Sequence, residues 1–169
     1  MRKFIVKSMV AVTLMTGAVE TLNYTLTPTI QADDYLSKKK VKAVNKELKK
    51  YLKENKGFAE GTLDENGNPT TNGTPNPDFD YATYVDKITI NKSKQANVYF
   101  NAKITDLSLD ELDEISTRVS SMINGCLMEN GRITNDEYKQ GTFLSFYYGK
   151  KAIGHSKLSN YKTFKWYVK

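Results

Sequence analysis

The sequence predicts an α+β fold: an antiparallel sheet of four to five strands with a central amphipathic helix on one face, preceded by a basic N-terminal helix. Three observations predict it. Short apolar/polar alternations, the mark of half-buried strands, occur on both sides of residues 108–126. That segment opens on Ser108 with Glu111 in capping-box spacing and continues with Leu112, Ile115, Val119, Met122, Ile123 and Cys126 at helical spacing. The joins within each group of strands are hairpin-length, so an antiparallel arrangement is expected.

Taken in order, residues 1–32 read as an export signal. Arg2, Lys3 and Lys7 precede an apolar run from Met9 to Val19, and polarity returns at Glu20. The run is shorter than the roughly 20 residues that span a bilayer. Pro28 breaks the helix and Ala32 stands before Asp33, which makes the bond between them the preferred cleavage point, with cleavage after Ala18 the alternative. Residues 33–58 follow as a basic amphipathic helix. Val41, Val44, Leu48, Tyr51 and Leu52 fall on a stripe about 100° wide, and Gly57 marks its end. Lys39, Lys42, Lys46, Lys50 and Lys53 centre on the opposite side.

Residues 59–80 are dense in Gly, Asn, Thr and Pro and predict a long loop. Loops of that length are commonly functional or mobile, and the same letters allow the first helix to be packed or loosely attached. Residues 81–169 form the α+β domain. Tyr81–Asn91 and Asn97–Ile104 read as strands joined by a hairpin loop at Lys92–Ala96. After the central helix, Thr134 and Glu137 supply a second capping box for a short helix ending at Gly141. Phe143–Tyr148 reads as a strand, Gly149-Lys150 as a tight turn, Lys151–Gly154 as a short returning strand, and Tyr161–Val168 as the last strand.

The net charge of +6 is concentrated. Residues 33–58 hold nine lysines against Asp33, Asp34, Glu47 and Glu54, whereas residues 59–169 hold 13 cations and 14 acids. A lysine face of this kind attracts anions such as wall phosphates, anionic lipid or nucleic acid, although a solvated charged face has the same composition. Cys126 is the only cysteine, so no intrachain disulfide forms, and that pattern favours an exported protein of a Gram-positive bacterium over a secreted eukaryotic domain. With neither a lipidated cysteine nor a C-terminal sorting signal, release or loose wall association is expected.

Few residues point to chemistry. His155 is the only histidine and stands beside Ser156, but neighbours in an extended chain point to opposite sides, which favours a turn or loop role. Cys126 lies on the apolar stripe of the central helix and reads as a small core residue. Asp64, Asn66 and Asn68 alternate like the first ligands of a calcium loop, yet Gly67 is misplaced, and Asn-Gly turn chemistry explains the same letters. Asp110, Glu111, Asp113 and Glu114 offer carboxylate pairs for glycosidase chemistry, but acids in the first turns of a helix complement its dipole. No metal or cofactor is called for. Two surfaces remain: the lysine face, and the tyrosines of the last third, where alternation leaves Tyr147, Tyr161 and Tyr167 to line an outer face able to stack on sugars or peptides.

Asp113-Glu114-Ile115, Asp136-Glu137-Tyr138-Lys139-Gln140-Gly141, Gly154-His155-Ser156-Lys157, Asn160-Tyr161-Lys162 and Lys165-Trp166 give residues 34–169 a further reading. On these the chain resembles small uncharacterised secreted proteins of lactic-acid bacteria. The resemblance implies an exported bacterial protein with no assigned enzyme class. The expected function is therefore a secreted, non-enzymatic binding protein, wall-associated or extracellular, holding an anionic polymer or a glycan or peptide partner. An extracellular hydrolase of wall polymers and a host-surface interaction or inhibitor module are the alternatives.

Overall fold

In the computed structural model, which describes residues 35–167, a five-stranded sheet is packed beneath two long helices. The expected export signal and its expected cleavage point at Ala32 and Asp33 lie outside the described residues, as does Val168. Helix α1 (Lys38–Ala59) is capped by Ser37, whose hydroxyl accepts from the Lys40 N–H at 3.2 Å. It buries Val44, Leu48 and Leu52, while Val41 and Tyr51 sit at the margin of the stripe. These side chains share one apolar core with the sheet, so α1 is part of the domain body.

α1 also closes one sheet edge. The Asn45 side chain accepts from the Ile90 N–H at 2.7 Å and donates to the Ile90 carbonyl at 3.1 Å. A primary amide reproduces the donor and acceptor of a missing neighbouring strand, so the edge of β1 (Val85–Ile90) is blunted against foreign strands.

Strands β1, β2 (Ala96–Phe100), β3 (Leu144–Tyr148), β4 (Lys151–Lys157) and β5 (Asn160–Trp166) lie side by side in chain order. The fold is α+β, but the expected all-antiparallel sheet needs one correction: β2 and β3 run parallel, with Val98 opposite Phe146. The remaining neighbours are antiparallel. A parallel pair requires a crossover, and helix α2 (Leu109–Glu129) supplies it. The Ser108–Glu111 capping box is present, and α2 buries Leu112, Ile115, Val119, Ile123 and Leu127 between the sheet and α1. Helix α3 (Asn135–Gln140), opened by the Thr134–Glu137 box, leads into β3.

Other boundaries move for local reasons. Pro77–Tyr84 is a 3-10 helix capped by the Asn76 side chain, so the first strand begins at Val85 and not at Tyr81. The second strand ends at Phe100, where Asn101 caps another 3-10 turn that buries Ile104. The returning strand runs on to Lys157, which puts His155 inside β4 and not in a turn. The expected loop 59–80 shrinks to 60–76 and folds back on the end of α1. Leu63 bridges Pro69, and the Asn76 N–H reaches the Phe58 carbonyl at 3.0 Å. At Gly61 (φ +65) an added Cβ would lie 2.7 Å from the Gly73 carbonyl oxygen, so the two loop arms touch backbone to backbone.

Candidate functional site: the open sheet face

Alternation sorts the strands cleanly. Ile88, Ile90, Val98, Phe100, Leu144, Phe146, Ser156 and Phe164 point into the core beneath α1 and α2 and are buried. Their neighbours Lys87, Tyr99, Tyr147, His155 and Lys165 occupy the other face and are half-buried or exposed. Neither long helix packs there.

The open face is aromatic. Register places Lys87, Tyr99 and Tyr147 side by side across β1, β2 and β3. The two tyrosine rings stack at 5.2 Å, and the Lys87 ammonium sits 5.6 Å from the Tyr99 centroid. Four residues before Tyr147, or roughly 13 Å at strand rise, Phe143 begins a second group that runs across β4 and β5, with His155 opposite Ser145. Phe143 stacks on His155 at 5.9 Å and meets the edge of Tyr161 at 5.5 Å, while Tyr167 leans on His155 at 5.5 Å. Tyr147 and Tyr161 are half-buried, and Tyr167 is 55% exposed. Spacing along the chain singled out three of these residues. It missed Tyr99, His155 and Phe143, whose place follows only from the parallel β2–β3 register and the length of β4.

Beyond Phe143 and Tyr161 the face runs into a cavity of about 170 Å³, walled by the 93–95 turn, Glu137 and Gln140 of α3, and Thr142. Lys94 is only 7% exposed, although it is a lysine in a hairpin turn. Its backbone is left-handed, at φ 60, and its ammonium donates to Glu137 Oε1 at 2.5 Å. Burial pushes the Glu137 carboxyl up, but Lys94 and the Thr134 N–H and hydroxyl outweigh burial and hold it below the usual carboxylate range.

The lysine face lies elsewhere. Lys39, Lys42, Lys46, Lys50 and Lys53 are all exposed, and Lys50 pairs with Glu54 at 3.7 Å. They project from the side of α1 away from the core, whereas the aromatic face lies across the sheet from that helix. No compact ligand can touch both.

Of the remaining candidates, Asp110 is exposed in the first turn of α2, and the others have structural partners. Ser156 Oγ is buried and accepts from the Leu144 N–H at 2.9 Å, while the His155 ring donates from Nδ1 to the Ser156 carbonyl at 2.6 Å. Hydroxyl and imidazole point to opposite faces and form no dyad. Glu111 closes the α2 cap, Asp113 accepts from Trp166 Nε1 at 2.7 Å, and Glu114 holds Arg118 at 3.1 Å. Asp64 accepts from the N–H groups of Asn66 and Asn68 at 2.9 and 2.8 Å, which is Asx-turn chemistry. Cys126 is buried at the floor of a groove between α1 and α2, and burial followed by Glu47 and Glu129 pushes its thiol up to about 11. It stays a thiol at neutral pH and is a poor nucleophile.

No family model matches this chain, and no curated protein or solved structure is significantly similar to it.

Proposed function

We propose that this is an exported, non-enzymatic binding protein of a Gram-positive bacterium, wall-associated or extracellular, which holds a glycan on the open face of its sheet. The observation that carries the reading is the half-exposed aromatic surface, with the Tyr99–Tyr147 stack on β2 and β3 and the Phe143–His155–Tyr161–Tyr167 group spread from the start of β3 across β4 and β5. Aromatic rings on a strand are ordinarily spent on the core. Here a second set stands on the side away from α1 and α2, and flat rings with polar tips suit the apolar faces and hydroxyl edges of sugars. The four residues, or roughly 13 Å, between Tyr147 and Phe143 suit an oligosaccharide lying along β3.

The lysine face has a supporting role. Five exposed ammonium groups on one side of α1 attract a polyanionic wall over about a Debye length, roughly 10 Å at 0.1 M salt. That attraction concentrates the protein without selecting a ligand.

Pelleting of the purified protein with purified Gram-positive cell walls tests this at low and high salt. Binding is expected to weaken with salt but to persist, and Tyr147→Ala should lower the residual affinity about tenfold, a change of about 1.4 kcal/mol. A wild-type protein that stays in the supernatant at low salt, or whose binding vanishes entirely at high salt, would sink the glycan reading. Export has its own check. Deleting residues 2–32 is expected to keep the protein in the cytoplasm, and a deleted form found outside the cell at wild-type level would overturn the signal assignment.

A further inference from the structure

We propose that the cavity beside Phe143 and Tyr161 is a subsite for a single uncharged sugar ring, the end unit of the glycan held on the open face; this inference rests on the glycan reading above. The first support is the burial of Lys94. Burying the Lys94 ammonium against a Glu137 side chain that is itself 36% exposed is weak evidence for stability, since desolvation of the ammonium offsets the attraction. The turn also holds Lys94 in left-handed backbone, which a non-glycine residue adopts at a cost. The left-handed residue is what a three-residue hairpin loop needs after its type I turn, in which the Lys94 N–H donates to the Asn91 carbonyl at 3.2 Å, but burial of the ammonium is not. That burial places the ammonium at the wall of a cavity, where Glu137 Oε1 takes one of its three N–H donors and a ligand hydroxyl can take another.

The second support is the balance of groups. Lys94 and Glu137 neutralise each other, and Gln95, Gln140 and Ser93 add amides and a hydroxyl that both donate and accept. A carboxylate or phosphate entering here would meet Glu137, and an ammonium would meet Lys94. A hydroxyl-rich neutral ligand pairs with both. An apolar ligand would leave these groups desolvated and unpaired, which is costly.

Size and walls complete the case. A volume of about 170 Å³ is below the roughly 300 Å³ at which sites for drug-sized ligands begin, and suits one small ring. The Phe143 and Tyr161 rings meet at 85°, so one offers a face where the other offers an edge. Both also belong to the aromatic surface, which makes the cavity continuous with the path of a longer chain.

Calorimetric titration of the purified protein with glucose, galactose, mannose and N-acetylglucosamine tests the subsite, with glucuronic acid and glucosamine as charged counterparts. At least one neutral sugar is expected to bind with a millimolar Kd, and its charged counterpart about tenfold more weakly. Ser93→Tyr, an exposed turn substitution that fills the mouth, and Lys94→Gln should each weaken the neutral sugar about tenfold. Tyr147→Ala, at the far end of β3, should leave monosaccharide affinity within about twofold while weakening wall binding. Three results overturn the subsite: no monosaccharide binds, a charged sugar binds as tightly as its neutral counterpart, or Ser93→Tyr leaves affinity unchanged. If walls still retain the protein in any of these cases, the glycan reading survives alone. If walls and sugars both fail to bind, the two proposals fall together.

Discussion

Phe146→Ala is expected to destabilise the protein by about 3–5 kcal/mol, the range for removing a large buried aromatic side chain. Phe146 is fully buried at the centre of the sheet, where the parallel β2–β3 pair meets the antiparallel β3–β4 pair. Its ring lies 5.7 Å from Phe100, 5.2 Å from Phe164 and 4.8 Å from Trp166, so one side chain ties β2, β3 and β5 together. Alanine removes both the apolar transfer energy and three ring contacts, and the flanking strands are too constrained by ladder bonds to close the gap. Against a total stability of about 5–15 kcal/mol, typical for a domain, the variant should be marginal. Urea denaturation followed by circular dichroism reads this as a large fall in midpoint at nearly constant m-value. A loss below about 1 kcal/mol would mean that the core is not built around this ring.

How much of this was legible in the letters depends on the range of the interaction. Both capping boxes were, because Ser108–Glu111 and Thr134–Glu137 are contacts within one helical turn. The lysine stripe and the core face of α1 were legible for the same reason, being set by helical period alone. The parallel β2–β3 pair was hidden, because alternation in Val98 and Phe100 is the same whichever way the neighbour runs. A hint lay in the length of residues 101–143: a hairpin needs only a few residues, whereas a parallel return needs a dozen or more, usually with a helix. Tyr81–Tyr84 carried strand propensity, but the Asn76 cap and Pro77 set a 3-10 helix first.

The candidate site was legible only in part. Tyr147, Tyr161 and Tyr167 follow from alternation within single strands. Tyr99 joins them through register, and Lys94 is paired with a residue 43 positions away. In sequence Lys94 is an ordinary lysine in the turn Lys92-Ser93-Lys94-Gln95, indistinguishable from its solvated neighbours. Burial of a charge is a property of the assembled fold, so no local pattern could report it.

Gly154→Ala is the other substitution expected to act strongly, and here the sign decides between two effects. The Gly154 backbone is not in the left-handed region, so alanine would ordinarily gain about 0.4–1 kcal/mol by restricting the unfolded chain. Opposing this, an added Cβ would sit 2.5 Å from Trp166 Cε3 and 2.8 Å from the Lys165 carbonyl oxygen. The indole cannot swing aside freely, because its Nε1 is hydrogen-bonded to Asp113 of α2, and the carbonyl belongs to the backbone of the paired strand. Relief therefore requires β4 and β5 to separate or Trp166 to leave its place on Phe146. Overpacking of this kind costs about 1–3 kcal/mol, more than the entropic gain, so the variant should melt several degrees below wild type. Its intrinsic tryptophan fluorescence should change with it, since Trp166 is the only tryptophan. The same displacement would move Tyr167 and His155 on the open face, so wall binding should weaken together with the melting temperature. A Gly154→Ala protein as stable as wild type would show that the close approach of β4 to Trp166 does not exist.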